Sequence, residues 1–140
     1  MEKALLDTSF LVALLCSRDI HHAKAKELSR QVKGKVTPII TDVVFGETIT
    51  VLSRRAKEWG FSFEAAVKDL KDLSSSVARF AIYMIQEFEP IVELVVMSGG
   101  KLSFNDALLI IGARQERIKQ IITFDRDFEP YLKVIGVAPQ

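Results

Sequence analysis

The chain has 140 residues, of which 49% are hydrophobic and 26% charged, and a formal net charge of +1. That length and apolar content suit one folded domain over residues 1–140 and exclude a disordered chain. The one cysteine, Cys16, excludes an intramolecular disulfide and a Cys-rich zinc site and fits a reducing cytoplasm, while near-neutral charge neither supports nor excludes nucleic-acid binding.

Lys3-Ala4-Leu5-Leu6 reads as a short buried strand closed by Asp7. Thr8 onward reads as a helix with Leu11, Leu14 and Leu15 at helical spacing, and Asp7, Thr8 or Ser9 can cap it. The run from Phe10 to Cys16 imitates a signal segment, but it is short, Asp7 interrupts it, and Leu15 is a poor cleavage position. No stretch approaches the roughly 20 apolar residues that span a bilayer, so the sequence predicts a cytoplasmic protein without a membrane segment.

Asp19-Ile20-His21-His22 opens a second helix through Ala25 and Leu28 to Val32, stopped by Gly34. Lys35-Val36-Thr37-Pro38-Ile39-Ile40 is a strand whose proline marks an edge, an irregularity or the strand's end. Thr41 or Asp42 caps a third helix of about four turns that ends near Trp59-Gly60. Val44, Glu47, Thr48, Val51 and Leu52 share one face of it. Ser62 caps a fourth helix through Leu70 and Leu73, and Ser74-Ser75-Ser76 is a polar connection too short to link domains. The segment from Val77 to Tyr83 reads either as a strand or as a helix start. Pro90 suits the first turn of the next helix, which Gly99-Gly100 ends. Ser103 caps another, through Ala107, Leu108, Ile110 and Ile111. Ile121-Ile122-Thr123-Phe124 is a buried strand ending at Asp125, and a last short strand lies near Lys133-Val134-Ile135.

Short apolar strands alternating with amphipathic helices imply an α/β protein, a parallel sheet with helices on both faces. Ligands of such sheets bind outside the carboxyl ends of the strands, and both Asp7 and Asp125 fall there.

Each acid also has a plain structural reading. Asp7 can be an N-cap, Asp106 the acid of a capping box with Ser103, and Asp125 a turn residue before Arg126-Asp127. Glu47 stands where an apolar residue is expected, so it needs a partner such as Arg54 or Arg55, or a cation. Taken together, four carboxylates converging on one place repel one another unless a divalent cation joins them. Oxygen-only donors suit Mg²⁺ or Mn²⁺, the ions that phosphoryl-transfer enzymes use to orient and polarise a phosphodiester.

The sequence resembles the PIN-domain proteins, and among them the small VapC-like ribonuclease toxins. The motifs are Leu5-Leu6-Asp7-Thr8-Ser9, Glu47 after Thr41-Asp42, Leu102-Ser103-Phe104-Asn105-Asp106-Ala107, and Ile122-Thr123-Phe124-Asp125-Arg126-Asp127-Phe128, in order along the whole chain. The resemblance implies a PIN-like fold, a five-stranded parallel sheet of order 3-2-1-4-5 flanked by helices. It implies a Mg²⁺- or Mn²⁺-dependent endoribonuclease, usually a homodimer, neutralised by a VapB-like antitoxin protein. The catalytic and metal-binding acids carry over as Asp7, Glu47, Asp106 and Asp125. Thr8, Ser9 and Thr123 match supporting hydroxyl positions, and Asp127 is a further supporting acid or an exposed turn residue. Asn105 departs from the family's usual small residue.

Arg126, beside Asp125, is the expected RNA-contacting side chain. His21 and His22 read as surface residues, Arg54, Arg55 and Lys57 as a solvated helix face, and Trp59, Phe61 and Phe63 as core or interface. The expected function is metal-dependent cleavage of RNA by the toxin of a toxin–antitoxin pair. The alternatives are a non-catalytic RNA- or protein-binding module of the same fold, and a PIN-type RNA-processing or DNA nuclease without an antitoxin.

Overall fold

A computed structural model of the chain describes residues 1–74 and 76–136. Five strands, β1 (Glu2–Leu6), β2 (Val36–Thr41), β3 (Val77–Ala78), β4 (Gln120–Ile122) and β5 (Lys133–Ile135), form one sheet in the order β3-β2-β1-β4-β5. Every neighbouring pair is parallel. Seven α-helices lie among the described residues: α1 (Thr8–Leu15), α2 (His22–Val32), α3 (Asp42–Trp59), α4 (Phe63–Leu73), α5 (Tyr83–Gln86), α6 (Phe88–Met97) and α7 (Phe104–Gln115). A 3-10 turn covers Arg126–Phe128.

The chain runs outward from β1 to β3, then crosses to β4 on the other side of β1 and continues to β5. Right-handed crossovers then place α1 to α4 on one face and α5 to α7 on the other. The packing agrees, because α1 meets α2, α3 and α4, while α7 meets α5 and α6. Strand order reverses between β1 and β4, and such a switch point opens a crevice at the strands' carboxyl ends.

The core follows from the apolar runs. Leu5, Ile121 and Ile122 are fully buried, each worth roughly 1.5–3 kcal/mol relative to exposure. In α7 every residue from Ala107 to Ala113 is buried, so this helix lies inside the molecule and holds its first turn rigidly. No helix among the described residues is long and apolar enough to cross a membrane.

Several boundaries differ from the sequence reading. α2 begins at His22, because Asp19 accepts the His21 N–H and folds residues 19–21 into a turn. α3 has 18 residues, about five turns instead of four. Gly60, in the left-handed region at φ 73°, ends it. The segment from Val77 to Tyr83 contains both readings in sequence, a two-residue edge strand and then, after a loop, the start of α5. Ser75, in the middle of the predicted polar connection, lies outside the described residues.

Thr41 caps α3 through its side chain, which accepts the Val44 N–H at 3.1 Å. The carboxylate of Asp42 does something else: it accepts N–H bonds from Val43, Phe80 and Ala81. One acid thus ties the start of α3 to the loop after β3. Sequence spacing carries no signal for that long-range contact.

Candidate active site

Asp7 follows β1 directly, and its N–H donates to the Ile122 carbonyl of β4 at 3.0 Å. It occupies the N-cap position of α1, yet its side chain caps nothing. Instead Oδ2 accepts bonds from Thr123 Oγ1 at 2.7 Å and Ser9 Oγ at 3.1 Å. The capping reading therefore fails for Asp7, whose carboxylate is held by hydroxyls from two different elements. The residue is only 7% exposed. Burial pushes its carboxyl above the usual range, the hydroxyl donors oppose this, and the charge of Asp125 adds to the rise.

Thr123, fully buried, links two acids, since its Oγ1 donates to Asp7 and accepts the Asp125 N–H at 3.0 Å. Ser9 Oγ accepts the Phe124 N–H at 3.2 Å. These two hydroxyls fasten the chain after β4 to the chain after β1. Asp125 also accepts the Asp127 N–H at 2.9 Å, so it fills the turn role as well as lying beside Thr123.

Asp106 arrives from the opposite face, in the first turn of α7. Ser103 accepts its N–H, and Asp106 Oδ2 accepts the Ser103 N–H, a complete capping box. Partial burial raises its carboxyl, and the charges of Asp7 and Asp125 raise it further. Capping has fixed the side chain without neutralising it. Three acids from three elements thus feel one another's charge. Among the described residues the ion pairs are Arg30–Glu27 and Arg126–Glu129, and neither involves these acids.

Glu47, in the second turn of α3, is half-buried and accepts a bond from Thr8 Oγ1 at 3.2 Å. The partner expected in Arg54 or Arg55 is absent among the described residues, since Arg55 lies over the Trp59 ring at 4.7 Å. Thr8, next to Asp7, therefore joins Glu47 to the cluster. Arg126 pairs with Glu129 at 3.1 Å, and Asp127 is exposed in the 3-10 turn. His22 Nδ1 lies 2.8 Å from the Ala13 carbonyl. His21 stacks on Phe124 at 4.6 Å, a contact between residues far apart in sequence.

The donor set fits a divalent cation in kind. It is all oxygen, mutually repulsive and partly dry. Among the described residues, however, no three His, Cys, Asp or Glu side chains stand close enough to enclose an ion. Mg²⁺ needs only one or two carboxylates with water completing the octahedron, so a loosely spaced acid set is compatible with it. Asp7, Asp106 and Asp125 are the residues that would hold it, with Glu47 at the margin.

The family model for the PIN domain matches residues 4–131. Among solved structures, the chain is similar to VapC20 of Mycobacterium tuberculosis, described as a toxin that cleaves the sarcin–ricin loop. The identity is 27%, over 98% of this chain and 100% of that one, with a TM-score of 0.74. A protein of Pyrobaculum aerophilum matches with 21% identity over 95% of this chain and 83% of that one, at a TM-score of 0.61. A chain of VapBC2 from Rickettsia felis, bound to a DNA fragment from their promoter, matches with 15% identity over 94% and 96%, at 0.69. The last two show the fold alone. No curated protein matches at a significant level. With the family model covering nearly the whole chain, and with the sheet order that the motifs imply, the chain belongs to the PIN-domain family.

Proposed function

We propose that this protein is a Mg²⁺- or Mn²⁺-dependent endoribonuclease and the toxin of a type II toxin–antitoxin pair. The observation that supports the reading is that Asp7 and Asp125 follow the paired strands β1 and β4, and that Asp7 and Asp106 are both raised by burial and by like-charged carboxylates. These carboxylates have hydrogen-bond donors but no ion pair among the described residues, and like charges near one another cost stability unless a cation joins them. Asp7, Glu47, Asp106 and Asp125 would hold the ion. A bound divalent cation supplies Lewis-acid polarisation of the phosphodiester and assists attack by water.

The chain's own residues supply the geometry. Thr123 and Ser9 fix the Asp7 carboxylate, Thr8 orients Glu47, and Thr123 sets the backbone of Asp125. Asp127 is a supporting acid at the rim. Arg126, shared with Glu129, steadies an RNA phosphate next to the one that is cut.

Similarity to VapC20, which is described as a toxin, supports an antitoxin protein as partner, and we take it to be VapB-like. A homodimer is supported by exposed apolar side chains on α5 and α6, among them Ile85 at 84% and Val96 at 72% exposure. The test is cleavage of an RNA panel, including a sarcin–ricin hairpin, with Mg²⁺, Mn²⁺ or EDTA. Metal-dependent cutting that Asp7→Asn/Asp106→Asn lacks supports the reading. The rival non-catalytic module draws on the open spacing of the acids, and it predicts RNA retention that is indifferent to metal, with no cutting.

A further inference from the structure

Three rings are layered beside the acid cluster. Phe10 of α1, buried, lies 6.2 Å from Phe124 at 36°. Phe124, half-buried, carries the His21 imidazole at 4.6 Å and 17°, a parallel stack. His21 is exposed, and its one ring contact among the described residues is Phe124. The layer is therefore buried at one end and open at the other.

This stack is locked to the site on both sides. Phe124 lies between Thr123, which holds Asp7, and Asp125, and the Phe124 N–H donates to Ser9 Oγ, the same hydroxyl that donates to Asp7. His21 is fixed by its N–H bond to Asp19 Oδ1 at 2.8 Å and by its carbonyl, which accepts the Ala25 N–H at 2.8 Å. Its neighbour His22 is anchored to the Ala13 carbonyl. The side chain of His21 caps no helix, although His21 stands at the N-cap position of α2. Its ring is thus held flat, outward and next to a candidate phosphodiester site, without a share in the core.

We infer that His21, backed by Phe124, is a base-stacking residue that receives an unpaired nucleobase of the RNA next to the scissile phosphate. Flat aromatic faces take unpaired bases regardless of sequence, and RNA loops present such bases splayed out. The inference rests on the proposed ribonuclease activity. It adds that activity depends on an unstacked base at one fixed position relative to the cut.

The test uses the full chain with His21→Ala and His21→Trp, each checked for an unchanged melting curve. The probes are a sarcin–ricin hairpin and a single-stranded RNA, each made also with an abasic sugar at successive positions flanking the cut. His21→Ala should raise KM about tenfold with kcat nearly unchanged, and His21→Trp should restore it. One abasic position should cost the wild type as much as His21→Ala does, and should cost His21→Ala nothing further. A role limited to supporting the fold gives no such non-additivity. Unchanged KM in His21→Ala, or additive losses at every position, overturns the stacking role while leaving the nuclease intact. Failure of the wild type to cut any RNA with either metal overturns the nuclease reading and the stacking role with it.

Discussion

Thr123→Val is the sharpest probe of how the cluster is held together. The substitution keeps the shape of a fully buried side chain and removes one hydroxyl. Its contacts go with it: the donor bond to Asp7 Oδ2 at 2.7 Å, the acceptor for the Asp125 N–H at 3.0 Å, and the 3.2 Å contact with Ser9 Oγ. A hydrogen bond to a charged group contributes about 1.5–3 kcal/mol, and an unpaired buried N–H costs about 1–3 kcal/mol. Asp125 is only partly buried, so the second cost is taken at the low end. A loss of about 3 kcal/mol is expected, a fall of about 1–2 M in the urea midpoint.

That loss should depend on pH with a definite sign. The Thr123 hydroxyl lowers the Asp7 carboxyl in the folded state, although burial leaves it raised overall. Removing the hydroxyl raises it further, so the penalty is full where Asp7 is ionised in both proteins and shrinks as acid protonates it. Urea unfolding at mildly alkaline and at acidic pH measures both quantities. A loss under about 0.5 kcal/mol, or one of equal size at both pH values, would refute the placement of Thr123 as the donor to a strained carboxylate.

Asp7→Asn should abolish RNA cleavage and yet stabilise the metal-free fold by about 1 kcal/mol, the size usual for relieving an active-site trade-off. Asp7 is raised on folding, so its ionised form costs stability as pH rises; the gain in the variant should appear at neutral pH and vanish below the ordinary value of 3.8. Asp42→Ala removes the acceptor of three backbone N–H groups and should destabilise by about 2–3 kcal/mol, with the greatest gain in amide exchange at Phe80 and Ala81. Gly112→Ala places a Cβ 2.6 Å from the buried Phe80 ring. Overpacking at about 1–3 kcal/mol exceeds the gain of about 1 kcal/mol in helix propensity, so its melting temperature should fall.

The sheet and the acids were legible because they rest on local chemistry. Leu5-Leu6 and Ile121-Ile122 are short apolar runs of the kind a strand buried on both faces carries, and each leads within three residues to an acid. Ser103 announced the start of α7 and so the place of Asp106. For Asp106 and Asp125 the plain reading holds without excluding the proposed one, since both caps form and both carboxylates still lie near a like charge. Long-range pairings were not legible. Thr8 with Glu47, Asp42 with the Phe80 loop, and His21 on Phe124 join residues whose separation has no periodicity. The edge strand β3 was ambiguous for a physical reason: with two residues, partly exposed, it carries too little apolar pattern to separate strand from helix.

The central claim is that Asp7, Asp106 and Asp125 share a divalent cation. Calorimetric titration of the purified chain with Mn²⁺, repeated with Asp7→Asn/Asp106→Asn, tests it most directly. The expected result is saturable binding by the wild type that the double variant loses while remaining folded. Equal binding by both proteins, or none by the wild type, would contradict the claim.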